Sequence, residues 1–195
     1  ECTRMPHAFD RYSAYTDLPT LLDYSARPLR KSVRVNTLKC SVEQFTAYAK
    51  KNAWQLSPVP WCREAFFVDR EDRDEALGRD VLHGMGAFYM QEAASMLPVA
   101  LLNPQPGESV LDMAAAPGSK TTQMAAAMQG RGVIIASDVQ EKRLWTLMTS
   151  LYRCGVMNAV VVRKVGQWFA KHMTERFDRV LCDAPCTAQG TSRKD

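Results

Sequence analysis

Long apolar runs are missing from this sequence of 195 residues, and its first residues carry no apolar segment either. The apolar stretches extend over only a handful of residues, whereas a helix that spans a bilayer needs roughly 20. The opening segment, ECTRMPHAFD, has neither the hydrophobic centre of a secretory signal nor an initiator Met. The sequence therefore predicts no membrane span and no signal peptide, and we expect the natural start to lie upstream.

Cysteine and histidine are too few and too scattered for a disulfide framework or a metal centre. The six cysteines include no Cys-x-x-Cys pair, and His7, His83 and His172 each stand alone. We therefore expect no metal, and reduced thiols as in a cytoplasmic protein. Only ten Gly and ten Pro, beside 46% hydrophobic residues, also exclude a disordered or fibrous chain.

The charge is unevenly distributed, although a net charge of +4 is too small to identify a partner. One basic run contains no acidic residue and consists of Arg27, Arg30, Lys31, Arg34 and Lys39. Such a run can neutralise nucleic-acid phosphates and release their counterions. It can equally be a solvated strand edge, and the charges alone leave both interpretations open.

The first part of the chain has the pattern of a small α+β domain, which we place at residues 1–80. Residues 32–38 alternate apolar and polar side chains, as a half-buried strand does. Ser41 and Gln44 have the spacing of a capping box, which predicts a helix that ends near Asn52. A second strand is expected around residues 65–68, and the acid-rich segment 69–80 reads as a linker or surface loop.

The second part, residues 81–195, alternates short apolar strands with helices. Strands are predicted at residues 109–114, 132–138, 159–164 and 177–183, and helices at 90–102, 119–129, 140–153 and 167–173. Apolar strands that alternate with helices imply a parallel sheet buried on both faces, with right-handed crossovers. This predicts an α/β domain with a doubly wound, Rossmann-like sheet, in which ligands bind beyond the carboxyl ends of the strands.

The loop after the first of these strands has the composition of a nucleotide-binding turn. It follows Asp112 and is built from small residues and one proline: Ala114, Ala115, Ala116, Pro117, Gly118, Ser119 and Lys120. Small residues let a ligand approach the backbone, and the next helix presents free N–H groups. The spacing fits neither a P-loop nor a dinucleotide-binding fingerprint, because the required glycines are missing.

The next strand ends in Asp138, and the fourth in Asp183. A carboxylate at the position of Asp138 can accept hydrogen bonds from both hydroxyls of an adenosine ribose. It can also simply cap the helix that follows. Asp183 is followed by Cys186, a thiol beyond the strand end in a turn stiffened by proline, which is where reactive thiols are found.

Two motifs of this chain resemble those of the RNA cytosine-C5 methyltransferases of the NOL1/NOP2/Sun family: DMAAAPGSKTTQMA and DAPCTAQGTSRKD. Three upstream segments look most like bacterial members that modify the 16S ribosomal RNA of the small subunit: RPLRKSVRVNTLKCSV, WQLSPVPWC and YMQEAASMLPVALL. The resemblance covers about residues 25–195. It implies a Rossmann-like methyltransferase core preceded by a small RNA-binding domain, with S-adenosyl-L-methionine as cofactor and 16S ribosomal RNA or the small ribosomal subunit as partner.

The resemblance also implies roles for individual residues. The loop from Ala114 to Lys120 would wrap the cofactor, and Asp138 would hold its ribose. Asp183 would lie between the cofactor and the edge of the target cytosine, while Arg143 and Lys120 would fix the loop. Cys186 would assist product release after a second cysteine has added to C6 of the base. The basic run Arg27, Arg30, Lys31, Arg34 and Lys39 would then contact RNA phosphates.

The chain departs from the family pattern in three places. The second, nucleophilic cysteine is absent, so we expect a truncated piece of a longer enzyme that is inactive alone. Val165 stands where the family usually has an Asp near the adenine, and Thr187-Ala188 replaces Ser-Gly. The alternative interpretation is a non-catalytic RNA-binding protein that keeps the fold without the chemistry.

Overall fold

A computed structural model describes residues 9–70 and 77–184 of the chain. By their internal contacts the described residues divide into two compact units, one of residues 9–30 and one of residues 31–70 and 77–184. In the first unit a short 3-10 turn, Asp10–Ala14, precedes helix α1, Leu18–Ala26. Asp17 begins this helix, because its carboxylate accepts a hydrogen bond of 2.9 Å from the Thr20 N–H.

The second unit opens with an antiparallel sheet of four strands. Its strands and helices are β1 (Ser32–Val35), α2 (Val42–Lys51), β2 (Gln55–Val59), β3 (Cys62–Asp69), α3 (Val81–Gly84) and β4 (Phe88–Met90). The strand order is β2-β3-β1-β4. Helix α2 begins with the predicted capping box between Ser41 and Gln44, and it packs Phe45 against Trp54 and Phe88 in the core.

The same unit contains a parallel sheet of four strands. The elements are α4 (Ala93–Leu102), β5 (Ser109–Asp112), α5 (Ser119–Ala127), β6 (Val133–Ser137), α6 (Glu141–Cys154), β7 (Ala159–Val162), α7 (Gly166–His172) and β8 (Arg179–Leu181). The strand order is β7-β6-β5-β8, and every pairing is parallel. The predicted α/β class and Rossmann-like core are confirmed. The order reverses at β5, so the carboxyl ends of β5 and β8 mark the place where ligands bind in such sheets.

Several elements differ from the sequence-based predictions. The strand predicted over residues 32–38 ends at Val35, because the Asn36 carbonyl and side chain form a turn with the N–H groups of Leu38 and Lys39. Helix α4 begins at Ala93 rather than residue 90, since Phe88–Met90 pair with β1 as a strand. Strands β2 and β4 and helices α1 and α3 were not predicted.

The domain boundary at residue 80 stays a prediction. Strand β4 lies beyond that residue and belongs to the antiparallel sheet, and both sheets fall within the compact unit of residues 31–184. Within residues 9–70 and 77–184, no helix is both long enough and apolar enough to cross a bilayer.

Gly86 provides a test of how closely the turn before β4 packs on α6. Its φ is +75°, and a Cβ at this position would lie 1.9 Å from the carbonyl oxygen of Arg153. Gly107 has a similar φ of +95°, but a Cβ there would meet no described atom within 4 Å. The two glycines therefore share the left-handed backbone and differ only in the space around them.

We expect Gly107→Ala to lower the free energy of unfolding by about 1 kcal/mol, the cost of a left-handed alanine. Gly86→Ala should lower it by a further 1–3 kcal/mol or so, because the backbone must also move away from the new methyl group. Denaturant unfolding of the two variants measures the difference. Equal losses of stability in the two variants would mean that α6 accommodates the methyl group at residue 86 without a cost in free energy.

Candidate active site

The carboxyl edge of the parallel sheet carries one aspartate at or just after the end of each of three strands. Asp112 is the last residue of β5, Asp138 directly follows β6, and Asp183 comes two residues after β8. Because β5 pairs with both β6 and β8, these three residues lie at the same edge of the sheet. The edge is the one at which the strand order predicts a ligand.

Asp112 is 1% exposed and is held by the first turn of α5. Its Oδ2 accepts a hydrogen bond of 2.7 Å from the Thr121 hydroxyl, and its buried Oδ1 has no hydrogen-bond partner among the described residues. Burial raises the pKa of this carboxyl to about 6, although Thr121, the Ala114 backbone and the Lys120 charge lower it. The site therefore contains a carboxylate whose charge is poorly compensated.

The loop after Asp112 is held against the neighbouring strand and helix by its backbone. The Ala115 N–H donates to the Ser137 carbonyl at 2.8 Å, and the Gly118 N–H donates to the Ala115 carbonyl at 2.8 Å. Gly118 has a φ of +106°, and a Cβ there would lie 3.0 Å from Cβ of Ser150. Glycine thus allows both the turn and the close approach of α6, and it leaves the start of α5 without a side-chain cap.

Asp138 is 2% exposed and has two roles in the structure. Its Oδ1 accepts a hydrogen bond of 3.0 Å from the Gln140 N–H in the turn that leads into α6, but Gln140 itself is the N-cap residue of that helix. Its Oδ2 lies 3.1 Å from Nη1 of Arg143 as an ion pair, but it accepts no hydrogen bond of good geometry from any residue the structure describes. The capping interpretation is therefore wrong, because α6 has no side-chain cap, and Oδ2 keeps acceptor capacity.

Arg143 and Lys120 tie the loop to the surrounding carboxylates. The Arg143 guanidinium donates to the carbonyl of Ala116 as well as pairing with Asp138. The Lys120 ammonium donates to Asp183 at 2.7 Å and to the Ser95 hydroxyl at 3.1 Å. Because Asp183 is 51% exposed, its carboxylate is fixed by Lys120 yet open to solvent.

The basic run does not form a single surface. Arg34 is 2% exposed, and its guanidinium is enclosed by Gln91, Ser119 and Thr122. The assignment of Arg34 to RNA phosphates is therefore wrong, because a side chain on the inner face of β1 cannot reach a phosphate. Lys39 is exposed, but its ammonium donates to the carbonyls of Met85 and Arg153 at 3.0 and 2.8 Å. Arg27, Arg30 and Lys31 are exposed, and their contact with RNA stays a prediction.

Val165 is 51% exposed and directly precedes α7, so an apolar side chain does stand at the surface after β7. Cys186 and the Thr187-Ala188 pair lie outside the described residues, and their predicted roles stay predictions.

Sequence reasoning missed two side chains of the site. The Thr121 hydroxyl donates a hydrogen bond to Asp112. The only indication of this residue in the sequence was its position after Lys120 in the loop motif. Ser95 bonds Lys120 from helix α4, 25 residues earlier in the chain, and no local pattern indicated it. Such a contact becomes visible only when the helix packs on the sheet.

The chain matches two family profiles that together extend over most of its length. One is described as 16S rRNA methyltransferase RsmB/F and matches residues 99–195; the other is the N-terminal domain of 16S rRNA methyltransferase RsmF and matches residues 5–93. The chain belongs to the RsmB/F family.

Known proteins of the RsmB/F family are similar to the chain in sequence. Ribosomal RNA small subunit methyltransferase F of Enterobacter sp. (strain 638) is 49% identical over 188 residues, and that of Vibrio cholerae is 48% identical over 182. These matches cover 91% and 92% of this chain, but only 39% and 38% of the two relatives. The chain therefore spans about two fifths of their length.

Solved structures agree with the fold of the RsmB/F family. A methyltransferase homolog from Pyrococcus horikoshii is 39% identical with a TM-score of 0.80, and the match covers 89% of this chain and 56% of that one. NSun6 from the same organism is 21% identical with a TM-score of 0.76, over 86% of this chain and 66% of that one, and supports the fold alone.

The raised pKa of Asp112 predicts a pH-dependent stability. A carboxyl with a higher pKa in the folded than in the unfolded chain stabilises the fold at low pH and loses that contribution as pH rises. For Asp112 the loss falls between the ordinary pKa of an aspartate, 3.8, and about 6. The free energy of unfolding of Asp112→Asn, relative to that of the parent, should therefore increase as pH rises from 4 to 7.5, by up to roughly 3 kcal/mol.

Glu108 provides a control of opposite sign, because hydrogen bonding to Arg179 lowers the pKa of its carboxyl. Glu108→Gln should lose stability relative to the parent as pH rises towards 4.5, the ordinary value for glutamate, and should keep a constant deficit above it. Thermal unfolding of both variants without cofactor, over a pH range that extends well below 4.5 and up to 7.5, gives the two slopes. If the stability difference between Asp112→Asn and the parent does not change with pH, folding does not raise the pKa of the Asp112 carboxyl.

Proposed function

We propose that this chain is the cofactor-binding part of an enzyme that methylates C5 of a cytosine in RNA, using S-adenosyl-L-methionine. The substrate is 16S ribosomal RNA, free or in the small subunit, and the place of action is the cytoplasm. The observation that carries the proposal is the meeting of Asp112, Asp138 and the Lys120–Asp183 pair around one loop of small residues. Membership in the RsmB/F family supports the same conclusion.

The residues at the carboxyl edge fit this cofactor. Asp112 Oδ1 and Asp138 Oδ2 are buried oxygens with acceptor capacity left over, which suits the ammonium and ribose hydroxyl groups of the cofactor. The side chains from Ala114 to Ala116 are small, so the cofactor can come close to the backbone of the loop. The N–H groups at the start of α5 are free to donate hydrogen bonds to it. When bound there, S-adenosylmethionine supplies an electrophilic methyl group on a sulfonium.

Within this loop, Arg143 has a positioning role. It pairs with Asp138 and donates to the Ala116 carbonyl, so one guanidinium holds both the ribose-binding carboxylate and the loop. The remaining loop positions, Pro117, Gly118 and Ser119, bring the chain from that carbonyl to the first turn of α5.

On the substrate side, Asp183 is placed to recognise the base. Its carboxylate is oriented by Lys120 and remains half exposed, so it can accept a hydrogen bond from the exocyclic amine of a cytosine. The base must be unpaired or flipped out of a helix to reach it. Cys186, three residues further along the chain, is assigned the release of the methylated product, and Arg27, Arg30 and Lys31 are assigned to phosphates.

The direct test is methylation by the full-length protein. Incubation with labelled S-adenosylmethionine and unmodified small-subunit ribosomal RNA should put the label on 5-methylcytosine, as identified by nucleoside analysis. Large-subunit ribosomal RNA is the matched control and should take up little label. Label in another nucleoside, or none, would contradict the proposed reaction.

Asp138 should account for a measurable share of cofactor binding. We expect Asp138→Ala in the full-length protein to weaken the binding of S-adenosylhomocysteine by about 1.5–3 kcal/mol, the cost of a lost charge-assisted hydrogen bond. Calorimetric titration measures the change.

Two further variants identify the cause of that loss. Asp138→Asn keeps an acceptor for the Gln140 N–H but loses the charge, so it should also bind more weakly if the ribose is the partner. Glu141→Gln removes an exposed carboxylate three residues further along the chain and should bind normally. Unchanged affinity in Asp138→Ala would remove Asp138 from the cofactor site.

A further inference from the structure

The side chain of Arg34 crosses from the antiparallel sheet to the helix that begins at the candidate active site. From β1, its Nε donates to Gln91 Oε1 at 2.9 Å. Its Nη2 donates to the Thr122 hydroxyl at 2.8 Å and to the Ser119 carbonyl at 3.3 Å. A buried cation is stable only when such partners satisfy it, so Arg34 requires all of them to be in place.

Gln91 extends this network along α5 and on to helix α4. Its amide nitrogen donates to Gln123 Oε1 at 3.1 Å, and the Gln123 amide nitrogen donates to the Met96 carbonyl at 3.0 Å. The guanidinium therefore belongs to a buried polar network that joins β1 to α4 and α5. Each member is hydrogen-bonded, and satisfied buried networks of this kind specify one arrangement of the elements they join.

The Arg34 partners on α5 flank the two side chains that reach the site. Ser119 and Thr122 lie on either side of Lys120 and Thr121 in the first turn of the helix. Lys120 orients Asp183, and Thr121 bonds Asp112. A shift of this turn would therefore displace a cation, a hydroxyl and the helix N–H groups together.

We propose that Arg34 is a positioning residue for the candidate active site: through Ser119 and Thr122 it holds the first turn of α5 in the geometry that binds the cofactor. Cofactor affinity then depends on a residue of the antiparallel sheet that contacts neither cofactor nor RNA. The inference rests on the proposed function for its ligand, but the contacts that carry it belong to the chain alone.

Arginine is suited to this role by its planar fork. Its Nε and Nη2 donate to different partners, which lets one side chain hold Gln91 through one nitrogen and Thr122 through the other. A lysine has one ammonium on a flexible stem and cannot reproduce the planar fork. Arg34→Lys therefore keeps the charge and loses the geometry.

Asn36 offers a matched control on the same face of the same segment. It is 1% exposed, and its amide nitrogen donates to the carbonyls of Gly86 and Cys154, each at 2.8 Å. Cys154 is the last residue of α6, whereas Arg143, which contacts the loop, lies near its start. Loss of the Asn36 side chain thus breaks buried hydrogen bonds of similar number without touching the first turn of α5.

The experiment compares three variants of the full-length protein: Arg34→Lys, Thr122→Val and Asn36→Ala. Thr122→Val removes the hydroxyl that accepts from Arg34 and donates to the Ser119 carbonyl at 2.9 Å, and it keeps the branched shape and the buried Arg34, so it perturbs the fold less than Arg34→Lys. Binding of S-adenosylhomocysteine is measured by calorimetry well below the melting temperature of each variant. Hydrogen exchange of the amides at residues 119–123 is measured in the unliganded proteins.

We expect Arg34→Lys to bind S-adenosylhomocysteine about tenfold more weakly, the effect of one charge-assisted hydrogen bond, and Thr122→Val to show a smaller loss in the same direction. Both should exchange the amides of residues 119–123 faster than the parent protein. Asn36→Ala should melt at a lower temperature but keep the parent affinity and the parent exchange at these amides.

Parent-like affinity in both Arg34→Lys and Thr122→Val would overturn the inference, and so would an equal loss of affinity in Asn36→Ala. If the parent protein itself does not bind S-adenosylhomocysteine, the proposed function fails instead. The exchange of residues 119–123 then still decides whether Arg34 holds this turn, because that measurement needs no ligand.

Discussion

The antiparallel sheet of this chain is joined to the start of α5 by a buried guanidinium whose hydrogen-bond partners lie outside the strands. Arg34 comes from β1, and its partners come from the segment after β4 and from α5. Burial lowers the pKa of this guanidinium to about 10, so it stays charged at neutral pH. A charge in such surroundings is tolerable only with its hydrogen bonds in place, so the antiparallel sheet and the start of α5 must adopt their arrangement together.

That arrangement brings three carboxylates to one edge of the parallel sheet. Asp138 and Asp183 form ion pairs with Arg143 and Lys120, while Asp112 accepts a hydrogen bond from a hydroxyl. Burial raises the pKa of Asp112 more than its hydrogen bonds and the nearby Lys120 charge lower it. An edge with excess acceptor capacity and a poorly compensated carboxylate is suited to a ligand that brings hydroxyl groups and positive charge, as the proposed cofactor does.

Much of the parallel sheet could be predicted because its signals are local. Apolar runs bounded by polar residues located β5 to β8, and the Ser41–Gln44 capping box located the start of α2. Strand β4 was not predicted, because Phe88–Met90 directly precede a segment with a helical pattern. These residues form a strand only by pairing with β1. Strand β2 contains a proline, which weakens any strand pattern in isolation.

The candidate site likewise has one part that the sequence predicted and another that only the structure showed. The sequence by itself determined the loop from Ala114 to Lys120 and the aspartates that end the strands, because in a parallel sheet strand ends meet at one edge. Only the tertiary structure decided that Ser95 reaches Lys120 and that Arg34 faces inward. In sequence Arg34 is one of five cations in a run, and each could be solvated. Arg34 is the buried one because it lies on the face of β1 that α5 covers. The contact that fixes this, between Arg34 and Thr122, joins residues 88 positions apart.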